Sequence, residues 1–158
     1  TFKNIISILE ETNQEKTMTD SQKESLIFLI QEEKLAADIY ELMYDTRWNK
    51  KFANILNAEE NHQQSVANIL DKYNIPNPND TLTTWEFNDP ELTELYSSLV
   101  EKWQNSASDA IEVWIAIEKK DIEDLDAMID EFPWFSDIQT VLQKLLEGSK
   151  RHLAAFQR

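Results

Sequence analysis

Cysteine is missing from this chain altogether. Disulfides, zinc-thiolate sites and iron-sulfur clusters are thereby excluded, and cysteine usage leaves the redox compartment open. Glycine occurs once, as Gly148, and proline four times, whereas Glu, Leu, Lys, Ala and Gln are plentiful. That balance suits helices and starves β-turns, so an all-α fold is expected. Positive charge is scarce too: 15 Lys and Arg face 30 Asp and Glu, a formal net charge of -15. Nucleic-acid binding draws its affinity from cationic side chains that neutralise phosphates, so nucleic acid is set aside as a partner. The ordinary meaning of such an acidic surface is solubility. No apolar run approaches a membrane span, and no leader with a charged start and apolar centre is evident. The chain starts at Thr1, so cytoplasmic residence and export after removal of a leader both stay open.

With 158 residues, 41% of them hydrophobic, the chain can bury one substantial core. A short helix at Phe2–Leu9 and a polar linker make up residues 1–20, and a single helical domain fills 21–158. Thr19, Asp20 and Ser21 offer caps for a long helix to about Asp45. A short connection through Trp48 and Asn49 leads to a second helix, about Lys50 to Tyr73, antiparallel to the first. Residues 74–90 contain three of the four prolines with several Asn and Asp, which marks a loop or crossover. A helix from Glu91 to Trp103 follows. Ser106 to Asp109 cap a third long helix to about Asp130, Phe132-Pro133 breaks it, and a last helix runs from Ser136 to Phe156. Four long helices with a long connection between the second and third match a four-helix bundle with one crossover, which contains the short helix.

Side chains three, four and seven apart share one helix face, which makes placement calculable. In the second helix Phe52, Ile55, Val66, Ile69, Leu70 and Tyr73 define the apolar stripe, and Glu59 and His62 fall within it while Glu60 does not. In the third, Ala110, Ile111, Trp114, Ile122, Leu125 and Met128 surround Glu118 and Asp121. The last helix has Ile138, Val141, Leu142, Leu145, Leu153 and Phe156 on the side shared by Ser149 and His152. In the first, Leu26, Leu29, Ile30, Ala37 and Tyr40 surround Glu33, with Glu32 at the margin of a broad apolar arc.

Singly, each position has a plain explanation: an interior His is usually a hydrogen-bonded core residue. Together they ask for more. An ionised carboxylate in an apolar interior protonates, pairs or binds a metal. Lys and Arg fall mostly on polar faces and cannot supply the pairing. Glu33, Glu59, Glu118 and Asp121 carry four negative charges, which two divalent ions would neutralise with His62 and His152 completing the coordination. Carboxylate and imidazole ligands suit iron or manganese, and zinc also fits.

These residues resemble the ferritin-like superfamily, whose members build a dinuclear site from a Glu on each of two helices and Glu-x-x-His on each of the other two. The rubrerythrin type is similar in detail: a first-helix Glu with Ala three and Tyr seven later, as Glu33, Ala36 and Tyr40; Glu-x-x-His, as Glu59 and His62; and an acid pair three apart, as Glu118 and Asp121. The set over Ser21–Phe156 looks closest to an uncharacterised ferritin-like family of bacterial and archaeal domains of unknown function. The last helix departs from the pattern, because Ser149 stands where a Glu precedes His152.

The resemblance implies one metal position with Glu33, Glu59, His62, Glu118 and Asp121, and a second, weaker position with His152 sharing the bridging Glu59 and Glu118. It implies reduction of peroxide or dioxygen, with Tyr40 as candidate catalytic relay. An aromatic on a core stripe is otherwise packing. Gly148 either leaves room for a ligand, water or substrate, or ends one helix so that Ser149 caps another. Expected partners are metal ions, a small oxidant such as peroxide or dioxygen, and a second copy in a homodimer. Iron storage, which needs a large shell, and a noncatalytic interaction bundle are the alternatives.

Overall fold

The structure, a computed structural model, describes residues 17–157 apart from 48 and 49. Among these there are five α-helices and no strand: α1 (Asp20–Arg47), α2 (Lys50–Lys72), α3 (Pro90–Asn105), α4 (Ala107–Ile129) and α5 (Ser136–Phe156), with one 3-10 turn at Pro78–Thr81. The helix expected at Phe2–Leu9 and the connection at Trp48 and Asn49 lie outside the described residues. No described helix is long and apolar enough to cross a membrane.

Local chemistry accounts for the helix starts. Thr19 accepts the Gln22 N–H at 3.2 Å while the Gln22 side-chain oxygen accepts the Thr19 N–H at 2.9 Å, a reciprocal box that satisfies two otherwise orphaned donors. Asp89 accepts the N–H groups of Glu91 and Leu92 at 2.8 and 3.3 Å, and Pro90 occupies the first helical position, where a missing N–H costs nothing. Ser106 accepts the Asp109 N–H at 3.0 Å. Each such cap contributes about 1 kcal/mol.

The four long helices touch in a closed ring, α1 to α2 to α5 to α4 and back to α1, and α3 lies against α4 and α1. Two apolar clusters fill the interior. Leu26, Leu29 and Ile30 of α1 meet Val66, Ile69 and Leu70 of α2, with Leu125 and Met128 of α4 and Leu142 and Leu145 of α5. Further along α1, Leu35, Ile39 and Met43 meet Ile55 of α2, Val113 and Ile117 of α4, and Leu92 and Leu99 of α3. Residue numbers rise along α1 as those of its α2 partners fall, so the two helices are antiparallel. The same reversal holds for α4 and α5, whose Phe156 packs at the second cluster. Between the clusters, all four long helices change from apolar to polar at one level.

α1 departs from the amphipathic expectation. Every residue from Leu29 to Tyr40 is buried, charged ones included, because the crossover covers its outer side. Gln31 accepts the N–H groups of Asn88 and Asp89 at 2.8 and 3.3 Å, Asp38 accepts that of Trp85 at 2.8 Å, and Asn79 donates to the Ile30 carbonyl at 2.9 Å. Lys34 is buried against this crossover, an exception to the polar-face placement expected of most Lys and Arg. Ile111, expected on the α4 stripe, is 43% exposed; the buried face runs through Ala110, Trp114, Ile117, Asp121 and Leu125 and leaves Ile111 at its margin.

Candidate metal centre

The polar layer between the two clusters gathers residues from all four long helices. Glu59 lies at its middle, fully buried. Its Oε2 is 3.0 Å from His62 Nδ1, one turn further along α2, and its Oε1 is 2.8 Å from His152 Nδ1 on α5. Glu33 of α1 reaches His62 Nδ1 from the other side, Oε2 at 3.2 Å. Glu118 of α4 lies 3.5 Å from His152 Nδ1 through Oε1, and the same oxygen accepts the hydroxyl of Tyr40. The two imidazoles stack with centroids 5.8 Å apart. Five of the residues singled out in the sequence thus meet in two groups that share Glu59: Glu33, Glu59 and His62 in one, and Glu59, Glu118 and His152 in the other, with Tyr40 attached to the second as a sixth. The ligand atoms of each group lie within 4.8 Å of one another.

Asp121 belongs to neither group. It is buried on the same side of α4 as Glu118, close enough to feel the charges of Glu33, Glu59 and Glu118. Ser149 is fully buried, and its hydroxyl donates to the Leu145 carbonyl of its own helix at 3.3 Å.

Gly148 answers to neither expectation. Helix α5 continues through it, so Ser149 caps nothing, and the space left by the absent side chain is filled by His62. A Cβ at 148 would lie 2.6 Å from His62 Nε2 and 2.8 Å from Cε1, inside van der Waals contact. Glycine disfavours a helix interior by about 1 kcal/mol relative to Ala. Here it lets the imidazole stand against the backbone of α5 with Nδ1 turned to Glu33 and Glu59.

Electrostatics follow from burial and from these contacts. Burial pushes Glu33 from 4.5 up to about 8, against the hydrogen bond from His62. Burial also raises Glu59, but close contact with the imidazoles of His152 and His62 and their positive charge win and hold it at about 2. Desolvation lowers both imidazoles, yet their carboxylate partners carry His62 up to about 10 and His152 to about 9. Burial raises Glu118 and raises Asp121 strongly, the latter with further repulsion from its acidic neighbours. Tyr40 is likewise raised, by burial and then by the charge of Glu118, and remains a neutral phenol that donates.

Even so, the layer is not closed on itself. Glu33 Oε1, Glu59 Oε1, Glu118 Oε2, Asp121 Oδ2 and His152 Nδ1 are buried without a hydrogen-bond partner. Of these, His152 Nδ1 and Glu59 Oε1 lie 2.8 Å apart and face each other as an ion pair. Buried polar atoms are normally satisfied, so unmatched atoms in and beside both three-residue groups fit cations shared among their members.

Glu32, at the margin of the arc in the helical wheel, is buried beside this layer. Its Oε1 is 3.4 Å from Lys120 Nζ, which also pairs with Asp124 at 2.5 Å. The i, i+4 spacing of Lys120 and Asp124 was the available signal for that pair; the reach of Lys120 across to α1 had none.

An all-helical domain with a carboxylate-imidazole layer across its core is the class that fold and geometry define. Residues 22–158 match the uncharacterized protein domain DUF2202, and the chain belongs to that family. It is 39% identical over 142 residues to uncharacterized protein MJ0754 of Methanocaldococcus jannaschii, covering 89% of this chain and 76% of the relative. The crystal structure of hypothetical protein MJ0754 from Methanococcus jannaschii DSM 2661 superposes with a TM-score of 0.85 at 38% identity, over 90% of this chain and 81% of the other.

Proposed function

We propose that this chain is a ferritin-like metal-binding bundle whose two carboxylate-imidazole groups hold a pair of iron or manganese ions and reduce peroxide or dioxygen. The observation that carries this reading is Glu59: each of its oxygens faces a different imidazole, with Glu33 and Glu118 on either side and unmatched lone pairs left over. Charge supports it as well. Four acids cannot all ionise in a dry interior, and two divalent cations balance them. Carboxylates with imidazoles are the donor set of iron and manganese, and zinc is also accommodated.

When bound, a redox-active pair supplies two electrons, the number that converts one hydrogen peroxide and two protons to two waters. Residues of the chain set the stage for that. Glu59 spans the two positions. Tyr40 orients Glu118 through its hydroxyl, which makes it a positioning residue, and Gly148 lets His62 stand where it does. The apolar clusters above and below keep water out and so strengthen every charge interaction between them. Fresh electrons come from outside these residues, which have no cysteine for a rubredoxin-type centre.

Protein stripped by chelator and reloaded anaerobically with ferrous ion tests this reading. Two ions per chain and peroxide-dependent oxidation are expected. Failure to retain ferrous, manganous or zinc ion favours a metal-free structural core, a reading supported by the two imidazoles already seated against carboxylates.

A further inference from the structure

We infer that a narrow cleft between α3 and α4 admits a small uncharged oxygen species, dioxygen or hydrogen peroxide, to the Asp121 side of the centre. The inference builds on the metal reading for what lies at its inner end. The cleft itself does not. Its walls are Leu95 and Leu99 from α3, Ala116 and Ile117 from α4, and Leu35 from α1, and its polar residues include Asp121 and Glu32. Ala116 is exposed and Leu95 half-buried at the mouth, whereas Asp121 and Glu32 are each 3% exposed. The open space is about 30 Å3; about 10–15 Å3 of such space holds one water-sized molecule.

Three features select the occupant. Volume limits it to a molecule of one or two heavy atoms. Aliphatic walls strip hydration from any ion, and the acids behind them repel an anion, so the visitor is uncharged. The inner end keeps an unused acceptor: Asp121 Oδ2 is buried without a partner, although Lys120, also on the cleft, is occupied by Asp124 and Glu32. Asp121 stands outside both three-residue groups yet beside them. That places it between the arriving molecule and the centre.

Filling the mouth with Ala116→Phe, on an exposed helical position that belongs to neither three-residue group, tests the inference. Crystals of the metal-free natural chain under xenon should show an atom between Leu99 and Asp121, and the variant should show none. In ferrous-loaded protein with unchanged stoichiometry, the variant should lose rate severalfold toward dioxygen or toward hydrogen peroxide, assayed separately; the arm that slows identifies the oxidant. Oxidation at the natural rate in both arms overturns the inference, whatever xenon does. Should the natural chain retain no ferrous ion, the proposed function has failed and xenon alone decides: an occupied cleft supports a site for small uncharged molecules, and an empty one overturns it.

Discussion

Helix α1 buries charge on two of its sides, and the two sides are built differently. Toward the crossover, Lys34 Nζ meets Asp38 at 2.5 Å, the same Asp38 accepts the Trp85 N–H at 2.8 Å, and the ammonium lies 4.6 Å over the Phe87 ring. A charge and its counter-charge are both present, and neither side chain leaves a buried atom unmatched. Toward the interior, Glu33 joins a layer in which acids outnumber imidazoles and lone pairs are left over. Both arrangements are buried. The first is what structural burial of charge looks like, a pair that fixes a loop; the second is incomplete as it stands, which is why we assign it to ions.

Substitutions should separate the two sides. Glu59→Gln is expected to have the largest effect: it removes the charge shared by both groups, and metal analysis after reloading should find neither ion retained. Asp38→Ala should do the converse. It leaves Lys34 buried without a counter-charge, which costs about 3–5 kcal/mol in denaturant unfolding, while folded protein keeps its full metal content. Gly148→Ala sharpens the contrast within the layer. The new methyl expels His62, so one ion of two should be lost, even though Ala is the better helix former by about 1 kcal/mol.

The smallest effect concerns pH in the metal-free protein. Glu33, raised by burial from 4.5 to about 8, binds its proton more tightly when folded, so its contribution falls as pH rises through that window. His62 and His152 have the same sign: their contributions are whole below 6.5 and lost as pH climbs through about 10 and about 9. Within this layer Glu59 runs the other way, losing its contribution as pH falls from 4.5 toward about 2. Denaturant midpoints should therefore decline from neutral into alkaline solution. Metal retention should strengthen over the same range, because imidazole must shed its proton to bind.

How far the sequence alone reached depends on which helix is considered. For α2, α4 and α5, one face meets solvent, so Glu59, His62, Glu118 and His152 could be placed inside from periodicity; Glu60 and Glu147 are exposed as their positions require. The capping residues Thr19 and Ser106 marked helix starts for the same local reason. α1 was harder: its stripe placed Glu33 inside, but the crossover hides its outer face, and burial there follows no helical period. Glu32, Lys34 and Asp38 were consequently beyond a helical wheel. Gly148 was conspicuous as the sole glycine, but its use depends on where a ring from another helix falls, and no local pattern encodes that.

Anomalous scattering from crystals grown with ferrous or manganous ion, recorded on both sides of the metal edge, tests the central claim most directly. Two peaks are predicted, one among Glu33, Glu59 and His62 and one among Glu59, Glu118 and His152. Crystals that carry the metal elsewhere, or show no peak in this layer, would contradict it.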